Sequence, residues 1–209
     1  MSLTEDINRT IEYAAKFKSW VNSNEIDERL ISERIYTSQE INRWQRSQKR
    51  TNKKNKWYGI KMEKAKRVAE KIGINFEDIL FLGVSGSVAS GHPKKDDDID
   101  ILIITKSNKL WKNRLKIRWW IYINKIPHRK YDKLEKKDEF CFNLWLDEDH
   151  LLINKNKQNL KNSVDLVLLR PLINKNFTYE KFLLANNWVK KWVATPYENK
   201  ISNFQFPIS

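Results

Sequence analysis

Two aspartates open a strand-like run, Asp98-Ile99-Asp100, which continues into Ile101-Leu102-Ile103-Ile104-Thr105; ten residues upstream stands a glycine-serine pair, Gly86-Ser87. Side chains alternate across a strand, so Asp98, Asp100 and Leu102 share one face, and Ile99, Ile101 and Ile103 share the other. The isoleucine face reads as core. The carboxylates are then ~6.6 Å apart along the strand, where two negative charges at an effective dielectric of ~20 repel by roughly 2–3 kcal/mol. A divalent cation held by both offsets that repulsion. Hard oxygen ligands, with no cluster of histidines or cysteines, point to Mg2+ or Mn2+. The upstream pair supplies the complementary half: Ile79 to Val84 reads as a short apolar strand, and Ser85-Gly86-Ser87 as a tight turn opening a helix. Backbone N–H groups and a hydroxyl at such a turn can hold a terminal phosphate. Three of the five glycines (Gly83, Gly86, Gly91) fall in this neighbourhood, where the chain must bend sharply or approach something closely. The chemistry is metal-assisted phosphate transfer. The competing reading, a solvated charged turn, is preferred for Asp96 and Asp97; Asp100, bracketed by Ile99 and Ile101, decides against it for the pair.

Residues 82 to 104 resemble the signature of the DNA polymerase beta-like nucleotidyltransferase superfamily: apolar-Gly-Ser, a spacer of this size, then Asp-apolar-Asp-apolar. The match covers about a tenth of the chain. The resemblance implies an α+β fold with a small mixed β-sheet flanked by helices, two Mg2+ ions, and transfer of a nucleotidyl group from a nucleoside triphosphate. It gives Gly86 and Ser87 to the triphosphate-holding turn, and Asp98 and Asp100 to the metals.

The superfamily pattern carries a third acidic residue on a neighbouring strand. The strand candidate is Phe140-Cys141-Phe142-Asn143-Leu144-Trp145-Leu146-Asp147, whose alternation puts Phe140, Phe142, Leu144 and Leu146 on the core face. Cys141, Asn143, Trp145 and Asp147 then share the opposite face. Either Asp147 is the third catalytic carboxylate or Asn143 occupies the position and the site runs on two. Asp147-Glu148-Asp149 also reads as an acidic turn. Glu139, Asp138 (of the wrong parity) and Asp165 are further candidates.

Charge is the second functional clue: the chain carries a formal net charge of +14 over 209 residues. Residues 43 to 56 hold Arg43, Arg46, Lys49, Arg50, Lys53, Lys54 and Lys56 without an acid. Residues 106 to 137 interleave twelve Lys and Arg residues with Trp111, Trp119, Trp120, Tyr122 and Tyr131. Basic surfaces release counterions from phosphates and exposed aromatics stack on bases, so a nucleic-acid acceptor is expected. Lys106 and Arg114, near the exit of the aspartate strand, could reach phosphates as nucleotide-binding groups; plain surface solubility is the alternative. Helical spacing also reads Trp111, Arg114/Leu115, Arg118 and Trp119/Tyr122 as a mostly core-facing stripe.

The elements that must position these groups follow. Residues 1–56 form an N-terminal helical module, helix-turn-helix-like: a helix over 4–22 with Ile7, Ile11, Ala14/Ala15 and Val21 inward, a short one over 25–34, and a third opened by the capping box Thr37-Ser38-Gln39-Glu40. Residues 57–150 form the catalytic core. It starts with an amphipathic helix over 57–72 closed by Gly73 and includes a helix over 108–124. Residues 151–209 form a helical cap with helices over 159–169 and 178–193 and an irregular tail after Pro196. No apolar run approaches the ~20 residues of a membrane span, so no membrane partner is expected. The N-terminus lacks a secretory pattern, and a single cysteine, Cys141, fits a reducing cytoplasm. His92, His128 and His150 lack metal-ligand spacing, and no Ser-His-Asp or Cys-His arrangement can be assembled. The enzyme so read moves a nucleoside monophosphate to an acceptor hydroxyl. The alternatives are a catalytically impaired relative that binds RNA or DNA, or a toxin–antitoxin nucleotidyltransferase acting on a protein partner.

Overall fold

β-Branched and apolar runs at 79–85 and 99–105 fold as adjacent strands, and they are the centre of an α+β architecture. The structure is a computed structural model that describes residues 2–48, 55–129 and 139–205. Among these, strands β1 (Ile79–Ser85), β2 (Ile99–Thr105), β3 (Phe140–Asp147) and β4 (Arg170–Asn174) form one mixed sheet in the order β3-β2-β1-β4. The helices are α1 (Leu3–Lys16), α2 (Ser38–Ser47), α3 (Lys56–Asn75), α4 (Gly86–Ala89), α5 (Leu110–Ile123), α6 (Leu160–Leu168), α7 (Thr178–Ala185) and α8 (Lys190–Ile201). The chain divides into two units: Met1–Lys54, Ile153–Leu168 and Asn186–Ser209 make one, Asn55–Leu152 and Leu169–Ala185 the other.

The second unit holds the sheet. β1 runs antiparallel to β2 and β4, whereas β2 and β3 are parallel, a pairing that requires a crossover, here α5. The core joins Leu82, Val84, Ile99, Ile101 and Ile103 of the sheet to Ala65, Ala69 and Ile72 of α3 and to Ile117 and Ile121 of α5. Gly73 does not close α3, which continues to Asn75 and is capped by Phe76. Its role is close approach: a Cβ there would lie 3.2 Å from the Ile173 side chain on β4. β4 was expected to be part of a helical cap. Its Pro171 is tolerated because β4 is an edge strand, where a missing N–H costs no ladder bond on the open side.

The faces of α5 are the reverse of the expected ones. Asn113, Ile117 and Ile121 are buried, whereas Trp111, Leu115, Trp119, Tyr122 and Ile123 are all more than 60% exposed.

The first unit is helical. The Thr37–Glu40 capping box forms as expected: Glu40 N donates to Thr37 Oγ1 at 3.3 Å and Thr37 N to Glu40 Oε2 at 2.8 Å. α1 is shorter than expected and Ile11 is exposed; its buried face is Asp6, Ile7 and Thr10. Residues 23–28 form a 3-10 helix rather than an α-helix over 25–34. Ile7, Ile26, Leu30, Tyr36 and Ile41 make the unit's core, with the Tyr36 hydroxyl donating to Asp6 Oδ2 at 2.8 Å. The tail is helical to Ile201, not irregular after Pro196. Val193 leaves helical geometry there (φ −137°, ψ 52°). Pro196 therefore sits in the first turn of a restarted helix, where its absent N–H costs nothing.

Candidate active site

β1 ends at Ser85, whose Cα partner across the ladder is Asp100, and the chain turns at once into the single helical turn of α4. Gly86 makes that turn with φ +65°, a left-handed conformation that favours glycine. The space its missing side chain leaves is filled by Asp100: a Cβ on Gly86 would meet Asp100 Oδ2 at 2.5 Å. The bend and the carboxylate predicted to act together are therefore in contact. Ser87 is the second residue of α4, and the turn is closed by Ser90 N donating to Gly86 O at 3.0 Å and His92 N to Ser87 O at 3.3 Å. The His92 imidazole is buried against Ser90 O, 3.0 Å from Nδ1.

Asp98 lies one residue before β2 and its side chain is 12% exposed. Arg129 Nη1 stands 3.6 Å from Asp98 Oδ2. The loop leading to Asp98 is tied to α3 by Lys61, which is 1% exposed. Its ammonium donates to Asp97 O at 2.7 Å and Lys95 O at 3.1 Å. Burial lowers the Lys61 pKa, against the pull of Asp97, Asp98 and Asp96. Spacing could not single out this lysine, because a lysine on an amphipathic helix ordinarily reads as solvated.

Level with Asp100 on the parallel neighbour β3 is Cys141. Its thiol is pushed up to about 11, first by burial, then by Asp100, with Asp98 adding to it and Arg129 opposing. The thiol is thus sensitive to the charge on both carboxylates. The register slips between Asp100/Leu102, with Cys141 and Leu144 as the respective partners. The extra residue in β3 inverts the alternation beyond it.

That slip removes Asp147 from the group. Asp147 pairs with Thr105, five positions along β2 from Asp100, ~16 Å away and on the isoleucine side. It instead accepts from Asp149 N at 3.2 Å and lies 2.7 Å from His150 Nδ1, which raises the His150 pKa. This is the acidic-turn reading. Asn143 lies within β3, with its side chain outside what is described, and Asp138 lies outside the described residues. Glu139 precedes β3, and its carbonyl accepts from Ile99 N at 2.9 Å. Asp165 belongs to α6 in the other unit and pairs with Lys161 at 2.8 Å. Among the described residues, no three His, Cys, Asp or Glu side chains converge as a metal-holding group.

Two expected phosphate ligands are also elsewhere. Lys106, six positions past Asp100, is ~20 Å along the sheet and pairs with Asp78 at 3.5 Å. Arg114 lies on the first half of α5, its guanidinium 5.3 Å from the Trp111 ring centroid. Both follow the exit of β2, which is the sheet end remote from Gly86. A cation that does stand beside the bend is Arg170 of β4, opposite Val84, with Nε 3.4 Å from Ala89 O at the end of α4. It could not be found from sequence, since β4 itself was not expected. Of the basic segments, Lys49, Arg50, Lys53 and Lys54, and likewise Lys130, Tyr131, Lys133, Lys136 and Lys137, lie outside the described residues.

The nucleotidyltransferase domain family model matches residues 61–185, more than half of the chain, from Lys61 through α7. No curated protein and no solved structure matches the chain at a significant level.

Proposed function

The chain belongs to the nucleotidyltransferase domain family, and from that premise we propose that it transfers a nucleoside monophosphate from a nucleoside triphosphate to an acceptor hydroxyl, at Gly86, Ser87, Asp98 and Asp100. The observation that carries the proposal is the contact between the Gly86 bend and the Asp100 carboxylate. The first N–H groups of α4 lack partners within the helix by geometry, so they can donate to the terminal phosphates. The donor chemistry suits a divalent cation: Asp100 lies against the Gly86 bend, Asp98 stands two residues before it on the same strand face, and both carboxylates are hard oxygen donors. Asp98 and Asp100 would hold Mg2+ or Mn2+, which supplies charge stabilisation of the triphosphate and a lowered pKa for the attacking hydroxyl. Lys61 keeps the Asp98 loop in place. Arg129 and Arg170 offer positive charge on either side of the bend, suited to a polyphosphate in transit. The +14 net charge supports a nucleic-acid acceptor, through attraction of a polyanion. Incubation with each labelled nucleoside triphosphate and separated cellular RNA and protein tests the reading. Label in RNA supports it; label in protein supports transfer to a protein hydroxyl; no label in either fraction contradicts transfer to macromolecules.

One observation favours a second reading. Cys141, not a carboxylate, is level with Asp100 on the neighbouring strand, which fits a protein on this fold that binds nucleotide without turning it over. Calorimetry with metal and triphosphate distinguishes the two: binding without turnover on any acceptor supports the second.

A further inference from the structure

The outward face of α5 has an organisation that the transfer reaction does not use. At 100° per residue, Trp111, Leu115, Trp119 and Tyr122 project as one ridge, with Ile123 beside it. Their exposures are 74%, 65%, 61%, 71% and 63%. The three aromatics alone present on the order of 400 Å², the size of the largest and often functional apolar patch on a monomer. Arg114 and Arg118 flank the ridge on one side, Lys112 and Lys116 on the other, and the helix has no acid.

We propose that this ridge docks the protein on an anionic lipid surface, the aromatic and aliphatic side chains entering the headgroup boundary and the two basic rails meeting lipid phosphates. No spanning helix is needed, and among the described residues none is long and apolar enough to cross a membrane. The ring geometry disfavours bases as the occupant. Trp119 and Tyr122 are perpendicular, at 87° with centroids 6.5 Å apart, so they cannot present parallel faces to successive bases. Trp111 already has the Arg114 guanidinium over its ring, and Leu115 and Ile123 have no π face. A second copy is disfavoured by charge, because a symmetric contact would press one pair of basic rails against another. Trp and Tyr at the ridge are also the side chains that suit a boundary between water and hydrocarbon.

Cosedimentation of the full chain with vesicles of mixed phosphatidylcholine and phosphatidylglycerol, against phosphatidylcholine alone, tests this. The wild type sediments with the anionic vesicles, less so at raised salt. Trp111→Ser with Trp119→Ser lowers the bound fraction about tenfold with circular dichroism unchanged. Lys112→Glu with Lys116→Glu does the same by weakening the preference for anionic lipid, and it keeps the test alive should the tryptophan variant fold poorly. Wild type left in the supernatant, or ridge variants that sediment like it, would overturn the proposal. So would ridge substitutions that instead abolish binding to a single-stranded oligonucleotide, or that dissociate a dimer seen by light scattering. Vesicle binding requires no turnover, so its failure leaves the transferase reading intact.

Discussion

Asp100 and Gly86 share one volume: the carboxylate Oδ2 stands where the glycine's Cβ would be, 2.5 Å away. The bend is consequently set by two independent demands, a φ of +65° and an acidic neighbour that a methyl would displace.

Gly86→Ala is expected to lower nucleotide transfer about tenfold or more by displacing Asp100, with a stability loss of about 1–2 kcal/mol from left-handed strain. Steady-state turnover beside urea unfolding checks both. An alanine variant with normal turnover would show that the contact is incidental.

Lys61→Met leaves the carbonyls of Lys95 and Asp97 without their charged donor and should cost about 2–3 kcal/mol. Because the loosened loop carries Asp98, the concentration of divalent cation needed for half-maximal turnover should also rise. Thermal unfolding together with a metal titration of activity separates this from a purely structural lysine, which would change only the first.

Cys141 is a built-in reporter. Its thiol pKa, pushed up to about 11, predicts slow alkylation near neutrality. Asp100→Asn removes the second-largest cause and should speed iodoacetamide labelling; a cation bound by Asp98 and Asp100 should shift the wild-type rate in the same direction. The linkage has a definite sign. The folded thiol keeps its proton above the ordinary thiol pKa, so stability falls as pH rises from that value toward about 11. Labelling rates against pH, with and without metal, test this, and an unchanged rate in Asp100→Asn contradicts the placement.

Asp147 and His150 test the dismissal of the distant carboxylate. His150 is raised by its hydrogen bond to Asp147, so it holds its proton to higher pH in the folded chain, and the pair's contribution disappears as pH rises through that raised value. Asp147→Asn should return the imidazole NMR titration toward an ordinary histidine and leave transfer within about twofold. A large loss of turnover would restore Asp147 to the site.

The sequence exposed those parts of the site that local chemistry dictates. Gly86-Ser87 and Asp98-x-Asp100 are legible because each residue type is anomalous where it stands, and the Thr37–Glu40 box because a cap is a local device. Parity alone left Asp147, Asn143 and an acidic turn open for the third position, because parity presumes an unbroken strand and the slip between Cys141 and Leu144 turns Asp147 to the other side. α5 was inverted because it carries apolar residues on both faces. Periodicity could not choose between Ile117/Ile121 and Trp111/Leu115/Trp119, and the polar Asn113 on the packed side pointed the wrong way. Lys61 and Arg170 owe their importance to long-range partners, the 95–97 carbonyls and Ala89, which no spacing rule reveals. β4 was hidden by Pro171, a residue that argues against strand everywhere except at an edge.

Asp98 and Asp100 beside Gly86 are proposed as a metal-dependent nucleotidyl-transfer centre. The decisive measurement is turnover of labelled nucleoside triphosphate by wild type and Asp100→Asn, in Mg2+ or Mn2+ and with circular dichroism as the fold control. Asp100→Asn should lose about 10²-fold or more in turnover while folding normally; undiminished turnover by that variant would mean the carboxylate plays no part in transfer.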